Sequence, residues 1–325
     1  MRKKEPKEET KNKKVLVAMS GGVDSSVAVH LLKEKGYEVT GAFLRMSPDY
    51  SESEKKAKLS AKKLSVDLKI LDVRKEFKKE IINSFKRDYE KGLTPNPCVW
   101  CNKEIKFDLL LKKVKTDYIA TGHYVSLKNN KLFKAKDKEK DQSYFLWKLN
   151  KKILEKTLFP NGDYKKSEIR KIAQKLNLSI NDSEESQDIC FQVKFAKKPG
   201  NIIDTKKKVV GKHNGLCFYT IGQRKGIGLA GGPYYVLAKD VKNNILIVTR
   251  DEKDLFSKEV NFKNANWISR PSKKIQAKIR YKHQSALGIL KGNKFIFSKP
   301  QKAITSGQSV VFYNNNELLG GGIII

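Results

Sequence analysis

Cysteine is scarce, with four in 325 residues. So few thiols cannot scaffold a chain this long, which points to a reducing, cytoplasmic setting where each Cys needs its own reason: burial, metal or reactivity. Long apolar runs are also missing, and no stretch approaches the roughly 20 residues that cross a bilayer. No membrane role is expected. The opening "MRKKEPKEETKNKK" has no apolar core and carries Glu5, Glu8 and Glu9, unlike a signal or transit peptide; a solvated basic arm over 1–13 is expected. Acidic residues are outnumbered, 35 Asp plus Glu against 68 Lys plus Arg, a net charge of +33. Such an excess favours a polyanion partner, because each neutralised phosphate releases counterions. There is no internal repeat.

What is present is alternation. Val15–Met19 is short, continuous and β-branched, as a buried parallel strand is. Val27, Ala28, Leu31 and Leu32 then mark a helical stripe that stops at Gly36. "YEVTGAFLRM", "VDLKILDV" and "TDYIATGHYVSL" are further strands, and "SESEKKAKLSAKKLS" and "EFKKEIINSFKRDYEKG" are helices between them. Alternating elements predict an α/β fold with a parallel, Rossmann-like sheet covered by helices on both faces. Ile169, Ile172, Ala173 and Leu176 mark one more helix. After about Gly200 the pattern becomes short alternating runs broken by Asn, Gly and Pro, which predicts antiparallel strands in two small barrels. The expected boundaries are 14–198 for the α/β domain with a helical extension, 199–257 for a central β domain and 258–325 for a C-terminal β-barrel.

Between the first strand and first helix lies "SGGVDSS", Ser20 to Ser26. Glycines let a backbone approach an anion. A helix start offers free N–H groups and a positive dipole end, and Ser20, Ser25 and Ser26 add hydroxyls, so the loop suits pyrophosphate. The loop is shorter than that of the common nucleoside triphosphatases, and no Lys follows its glycines. It is therefore built to hold a pyrophosphate leaving group while another atom attacks the α-phosphorus. This stretch resembles the PP-loop ATP pyrophosphatases, which adenylate carbonyl oxygens.

Further motifs narrow the choice: "TPNPCVWCNKEIKF" (94–107), "ATGHY" (120–124), "KDQSYFLW" (140–147), "SQDICF" (186–191), "YTIGQRKGIG" (219–228) and "GQSVVFYN" (307–314). Together they resemble the tRNA-specific 2-thiouridylases over essentially the whole chain from Lys14. That resemblance implies a PP-loop domain, a central domain and a C-terminal barrel. It implies ATP with Mg, tRNA as substrate, and a cysteine desulfurase or sulfur-relay protein as donor. It assigns Cys190 to carry a persulfide and Cys101 to resolve it through a disulfide. It matches Ala18, Met19, Ser20, Gly21, Gly22, Val23, Asp24, Ser25, Leu44 and Gly122 to ATP contacts. Asn96, Pro97 and Cys98 match the segment at the target base. His123, Lys140, Asp141, Gln142, Arg280, Tyr281 and Gln308 match other tRNA contacts.

The chemistry stands beside the resemblance. The 2-carbonyl oxygen of uridine leaves poorly until AMP is attached; a thiolate-borne sulfur then replaces it. Lys103, Lys106 or a helix start at "NKEIKFDLLLKK" would favour the Cys101 thiolate, and polar flanks argue against burial of Cys101 and Cys190. Where this chain has Cys98, many relatives carry Asp. Cys98, Cys101 and Cys190 are thus three thiols able to hold an iron–sulfur cluster, or zinc if Cys217 or a histidine joined them. Two other readings stay open: a PP-loop ligase that adenylates a small molecule, and a non-catalytic tRNA-binding or sulfur-carrier protein.

Overall fold

The computed structural model describes residues 10–47, 49–178 and 190–325. The basic arm over 1–9 and most of "NDSEESQDIC" lie outside the described residues. The chain divides into two compact units. The first takes in the chain up to Ile81, Cys98–Phe191 and Asn316–Leu318; the second takes in Ile82–Pro97, Gln192–Asn315 and Leu319–Ile325.

The first unit is built on five parallel strands: β1 (Lys14–Ala18), β2 (Glu38–Arg45), β3 (Leu68–Asp72), β4 (Tyr118–Thr121) and β7 (Thr157–Leu158). Their order is β3-β2-β1-β4-β7. The order reverses between β1 and β4, and in such sheets a ligand binds at the carboxyl ends beside that reversal. A hairpin of β5 (Val125–Lys128) and β6 (Lys131–Lys134) leaves the sheet, so "TDYIATGHYVSL" forms two strands separated at Gly122–Tyr124. Helix α1 (Val23–Glu34) buries Val27, Ala28, Leu31 and Leu32 against Val15 and Val17 of β1. Fully burying a side chain of that size contributes about 1.5–3 kcal/mol. Helix α2 (Ser51–Lys63) buries only Ala57, Ala61 and Glu54. Its small side chains let it approach the β1–α1 loop. Helix α3 is Arg74–Phe77, and helix α4 covers 97–113, beginning at Pro97 and widening to a π-helix over Cys101–Leu109. Helix α5 (Lys166–Lys175) buries Ile169 and Ala173.

The second unit holds two β structures. One is a four-stranded sheet in the order β10-β11-β8-β9, from Tyr235–Asp240, Ile245–Thr249, Gly200–Ile203 and Val209–His213. The other is a six-stranded closed barrel of β12 (Phe256–Trp267), β13 (Lys274–Lys278), β14 (Ala286–Lys291), β15 (Lys294–Lys302), β16 (Ser309–Asn314) and β17 (Glu317–Ile324). Its closure is the β12–β17 pairing. Phe262, Phe295, Phe297 and Phe312 fill its interior. Two all-antiparallel barrels were expected; instead β8 and β11 pair parallel within an open sheet. Alternation reports that one face of a strand is buried, not the direction of its neighbour.

Candidate active site

The β1–α1 loop sits at the carboxyl end of the sheet. Gly21 has φ +83°, and a Cβ there would lie 2.5 Å from the Ser53 carbonyl oxygen of α2, so the loop and α2 close on each other only through glycine. Gly22 caps α1 and no side chain satisfies the helix start. The hydroxyls of Ser25 and Ser26 both donate to the Gly22 carbonyl, at 3.0 and 3.1 Å. Ser25 Oγ also accepts from Ser20 N–H at 3.2 Å. These hydroxyls, expected as anion donors, brace the loop and leave the backbone amides as its reactive face. Ser20 is exposed at the tip, Met19 is buried behind it, and Ala18 and Val23 flank it half-buried. Leu44, near the end of β2, is buried.

Gly122 closes the site from β4. A Cβ there would lie 2.7 Å from Ser25 N and 2.8 Å from Asp24 C. Asn161, fully buried, donates to the carbonyls of Asp24 (2.9 Å) and Gly122 (3.1 Å), tying the two backbones together. The Asp24 carboxylate accepts from Tyr124 Oη at 2.7 Å and from Lys166 Nζ at 2.6 and 2.7 Å. Lys166 is the cation that the loop sequence lacks, delivered from the first turn of α5. Nothing local distinguished it from the other cations, and Tyr124 and Asn161 were missed for the same reason: their role lies in who they touch.

From Gly122, hydrogen bonds and ring contacts of His123 and then the charge of Lys106 lead to the thiols. His123 Nδ1 shares a hydrogen bond with Thr121 Oγ1 at 2.7 Å, and its ring lies 6.3 Å from Phe107 and 6.4 Å from Phe159. Burial, with Lys106 adding to it, holds His123 well below the ordinary histidine range, so the ring is neutral at pH 7. Lys106 also acts on Cys101 and Cys98, favouring their thiolates. Cys101 feels Cys190 and Cys98 as well, and Cys98 feels Cys190, so a charge on any one destabilises a charge on the others. Phe191 packs edge-on against Phe77 at 5.7 Å, fixing the chain just beyond Cys190. Cys101 and Cys190 stand 190 − 101 = 89 residues apart in sequence; the fold brings both to one neighbourhood.

Three expectations about this site change. Cys101 is buried, and that burial pushes its thiol up to about 12 despite Lys106. The helix does not start at Asn102: it starts at Pro97, so Cys101 lies past the first turn and gains little from the dipole. Of the two lysines, Lys103 is ion-paired to Asp108. That pair is spaced i, i+5, the spacing a π-helix aligns on one face. Lys106 stands at the same spacing from Cys101. Cys98 and Cys190 are exposed, although the protein crowding the rest of Cys98 still pushes its thiol up. Among the described residues no group of three or more His, Cys, Asp or Glu side chains is placed to hold a metal ion. The three thiols therefore do not form a ready cluster site, and Cys217 is half-buried within the second unit.

The other matched residues fall in two places. In the first unit, Asp141 is buried and accepts from Ala135 N, Ser143 N and Ser143 Oγ. Gln142 exchanges hydrogen bonds with the backbone of Tyr124, at 2.9 Å each way. The segment Lys140–Gln142 thus lies alongside His123–Tyr124. Asn102 Nδ2 donates to Phe145 O at 3.2 Å, tying the same segment to α4. In the second unit, Gln308 Nε2 donates to Thr94 O at 2.7 Å and Thr94 N–H to Ser306 O at 2.9 Å, holding the segment that leads into Asn96 and Pro97. Arg280 Nη2 donates to Ile221 O, Ala303 O and Thr305 Oγ1. Tyr281 lies beside Lys278, whose Nζ is 5.5 Å from the ring centroid.

A parallel sheet reversing at β1/β4, with an uncapped helix start behind a double-glycine loop, defines a nucleotide-binding protein of the HUP α/β class. Three family models match the chain in series: the tRNA methyl transferase HUP domain over 13–194, the tRNA methyl transferase PRC-barrel domain over 191–250, and the aminomethyltransferase beta-barrel domain over 257–324. The chain is 44% identical to tRNA-specific 2-thiouridylase MnmA 2 of Thermoanaerobacter sp. (strain X514), covering 96% of this chain and 98% of that one. It is 42% identical to the MnmA of Clostridium kluyveri and 40% identical to that of Clostridium acetobutylicum, each over 96% of this chain and 99% of the relative. The chain belongs to the tRNA-specific 2-thiouridylase family.

Proposed function

We propose that this chain is a tRNA-uridine 2-sulfurtransferase that uses ATP to replace the 2-oxygen of the wobble uridine with sulfur. One observation carries the reading: Gly122 seats on Ser25 of the nucleotide loop, His123 follows it, and the charge of Lys106 acts on His123, Cys98 and Cys101, which in turn feel Cys190. A small-molecule ligase has no use for three converging thiols, and a passive carrier has no use for the loop.

ATP is a substrate here. The loop amides and the α1 dipole hold its phosphates and Lys166, paired to Asp24, supplies the adjoining cation; magnesium would arrive on the ATP phosphates and neutralise part of their charge. The uridine 2-oxygen attacks the α-phosphorus, the bond to pyrophosphate breaks, and AMP remains on the oxygen. Neutral His123 stands next to Gly122 as a hydrogen-bonding group that brings no charge into the pocket. The terminal sulfur of a Cys190 persulfide then bonds to C2, and the C2–O bond breaks as AMP leaves. Cys101, once ionised, attacks Sγ of Cys190, forming a Cys101–Cys190 disulfide and leaving the second sulfur on the base as the thiocarbonyl. A dithiol reductant resets the pair, and an external persulfide, from a desulfurase or relay protein, reloads Cys190. Cys101 resting as a buried thiol suits this order, because an early thiolate would reduce the persulfide before the base is activated. No step runs through a metal cluster.

The test is nucleoside mass analysis of tRNA incubated with the protein, ATP, magnesium and a sulfur source. Sulfur at the wobble uridine with tRNA-dependent pyrophosphate release is expected. Cys190→Ser should abolish thiolation and keep ATP binding; sulfur incorporation by that variant would remove Cys190 from its role. Activity in an iron-bearing preparation that disappears with the iron would remove the metal-free route.

A further inference from the structure

The loop after Tyr219 is far more ordered than its composition requires. Gln223 closes it from both sides: its N–H and side-chain oxygen bond Thr220 O and Thr220 N–H at 2.9 and 3.0 Å, and its Nε2 donates to Lys225 O at 3.0 Å. Gly222 and Val236 are joined by a 2.8 Å backbone bond, and Gln223 O accepts from Val236 N–H at 2.9 Å. Ile227 is buried and anchors the returning limb. A Cβ on Gly222 would lie 2.6 Å from Ala303 Cβ, so the loop base is seated on the 303–305 segment. Arg280 adds a clamp, with one nitrogen bonding Ile221 O, Ala303 O and Thr305 Oγ1 at 3.1, 2.9 and 2.7 Å.

All this bracing presents a tip of Arg224, Lys225 and Gly226, each exposed. Gly226, with φ +74°, turns the chain there. Among the described residues neither Arg224 nor Lys225 has an ion pair or a side-chain hydrogen bond. Arg224 acts electrostatically on the Glu252 carboxylate, which is already ion-paired to Lys302 at 2.5 Å. Elsewhere on this unit Lys294 pairs with Glu259, and Arg280 bonds carbonyls and a hydroxyl. Two adjacent cations without internal partners thus stand on a braced backbone, so only their side chains remain to be ordered when they meet a polyanion.

We propose that the 222–228 loop is an RNA phosphate-binding element, with Arg224 and Lys225 contacting the tRNA backbone and Arg280 acting as a positioning residue that braces the loop. The proposal rests on tRNA being the substrate. It gives Arg280 an indirect part in tRNA binding through the Ile221 carbonyl.

The experiment measures tRNA affinity of the full chain across a salt series for wild type, R224A/K225A and the charge-conserving R224K/K225R, with thermal melting as the fold control. Losing two phosphate contacts lowers the slope of log K against log salt by about 1.4–1.8. The expected result is that loss in R224A/K225A, a near wild-type slope in R224K/K225R, and a shared melting temperature. R280K, which keeps the charge but not the three-way clamp, should weaken binding with a smaller change in slope. A wild-type slope in R224A/K225A overturns the loop assignment. Wild-type protein that fails to bind tRNA at all instead overturns the proposed function.

Discussion

Burial of Cys101 makes a quantitative claim about reactivity. A thiol at about 12 is ionised at pH 7 to about one part in 10^5, against about one in 30 for an ordinary thiol near 8.5. The resting thiolate population is thus about 3,000-fold below ordinary. The more basic thiolate is intrinsically the better nucleophile, and a Brønsted coefficient of about 0.4–0.5 returns a factor of roughly 25–55. The net expectation is alkylation about 100-fold slower than for an unperturbed thiol, before any steric shielding. The assay is timed iodoacetamide labelling with peptide mass analysis, reading each cysteine separately from pH 7 to 10. Cys101 should label last, and its rate should rise about tenfold per pH unit without levelling. Lys106→Met removes a cation that favours the thiolate and should slow Cys101 further, with Lys106→Arg restoring it. A Cys101 rate that levels by pH 8 would refute the argument, because it would place the thiol in the activated range in the resting protein. The same shift has a stability consequence. The folded state holds this proton more tightly than the unfolded chain, so the contribution is complete below about 8.5 and is lost as pH rises toward about 12.

The remaining predictions concern the nucleotide loop and His123. Gly122→Ala places a methyl 2.7 Å from Ser25 N and should weaken ATP binding at least tenfold by calorimetry; unchanged affinity would mean β4 does not close the site. Lys166→Met removes a charge-assisted contact to Asp24 worth about 1.5–3 kcal/mol and should raise the Kd for ATP about tenfold or more; an unaltered Kd would leave Lys166 a purely structural partner. His123 is held neutral, so the unfolded chain takes up a proton that the folded one refuses. Its contribution is complete above about pH 6.5 and lost as pH falls below it. Urea midpoints should therefore drop from pH 7 to pH 5 in the wild type and less so in His123→Gln; equal drops would place the proton elsewhere.

The α1 stripe, the parallel strands and the double-glycine loop were legible because each is a local pattern with one cheap solution. Val27, Ala28, Leu31 and Leu32 can share a face only as a helix. The break at Gly122 was harder to see, since "TDYIATGHYVSL" reads as one run, and only the seating of Gly122 on Asp24 and Ser25 turns the chain out of the sheet. Pairing direction in the central sheet was illegible, because a side chain's exposure pattern is the same beside a parallel or an antiparallel neighbour.

By itself, then, the sequence determined which groups the protein owns: the amide-rich loop, the thiol motifs, the excess of positive charge and the periodicities that select an α/β unit followed by β structures. Tertiary structure alone decided what those groups are. It placed Cys98, Cys101 and Cys190 within electrostatic reach of one another, brought Lys166 to Asp24, neutralised His123 and buried Cys101. Periodicity is a property of neighbours along the chain. Proton affinity depends on the charges and dielectric surrounding a group in space, and those are assembled from segments far apart in sequence.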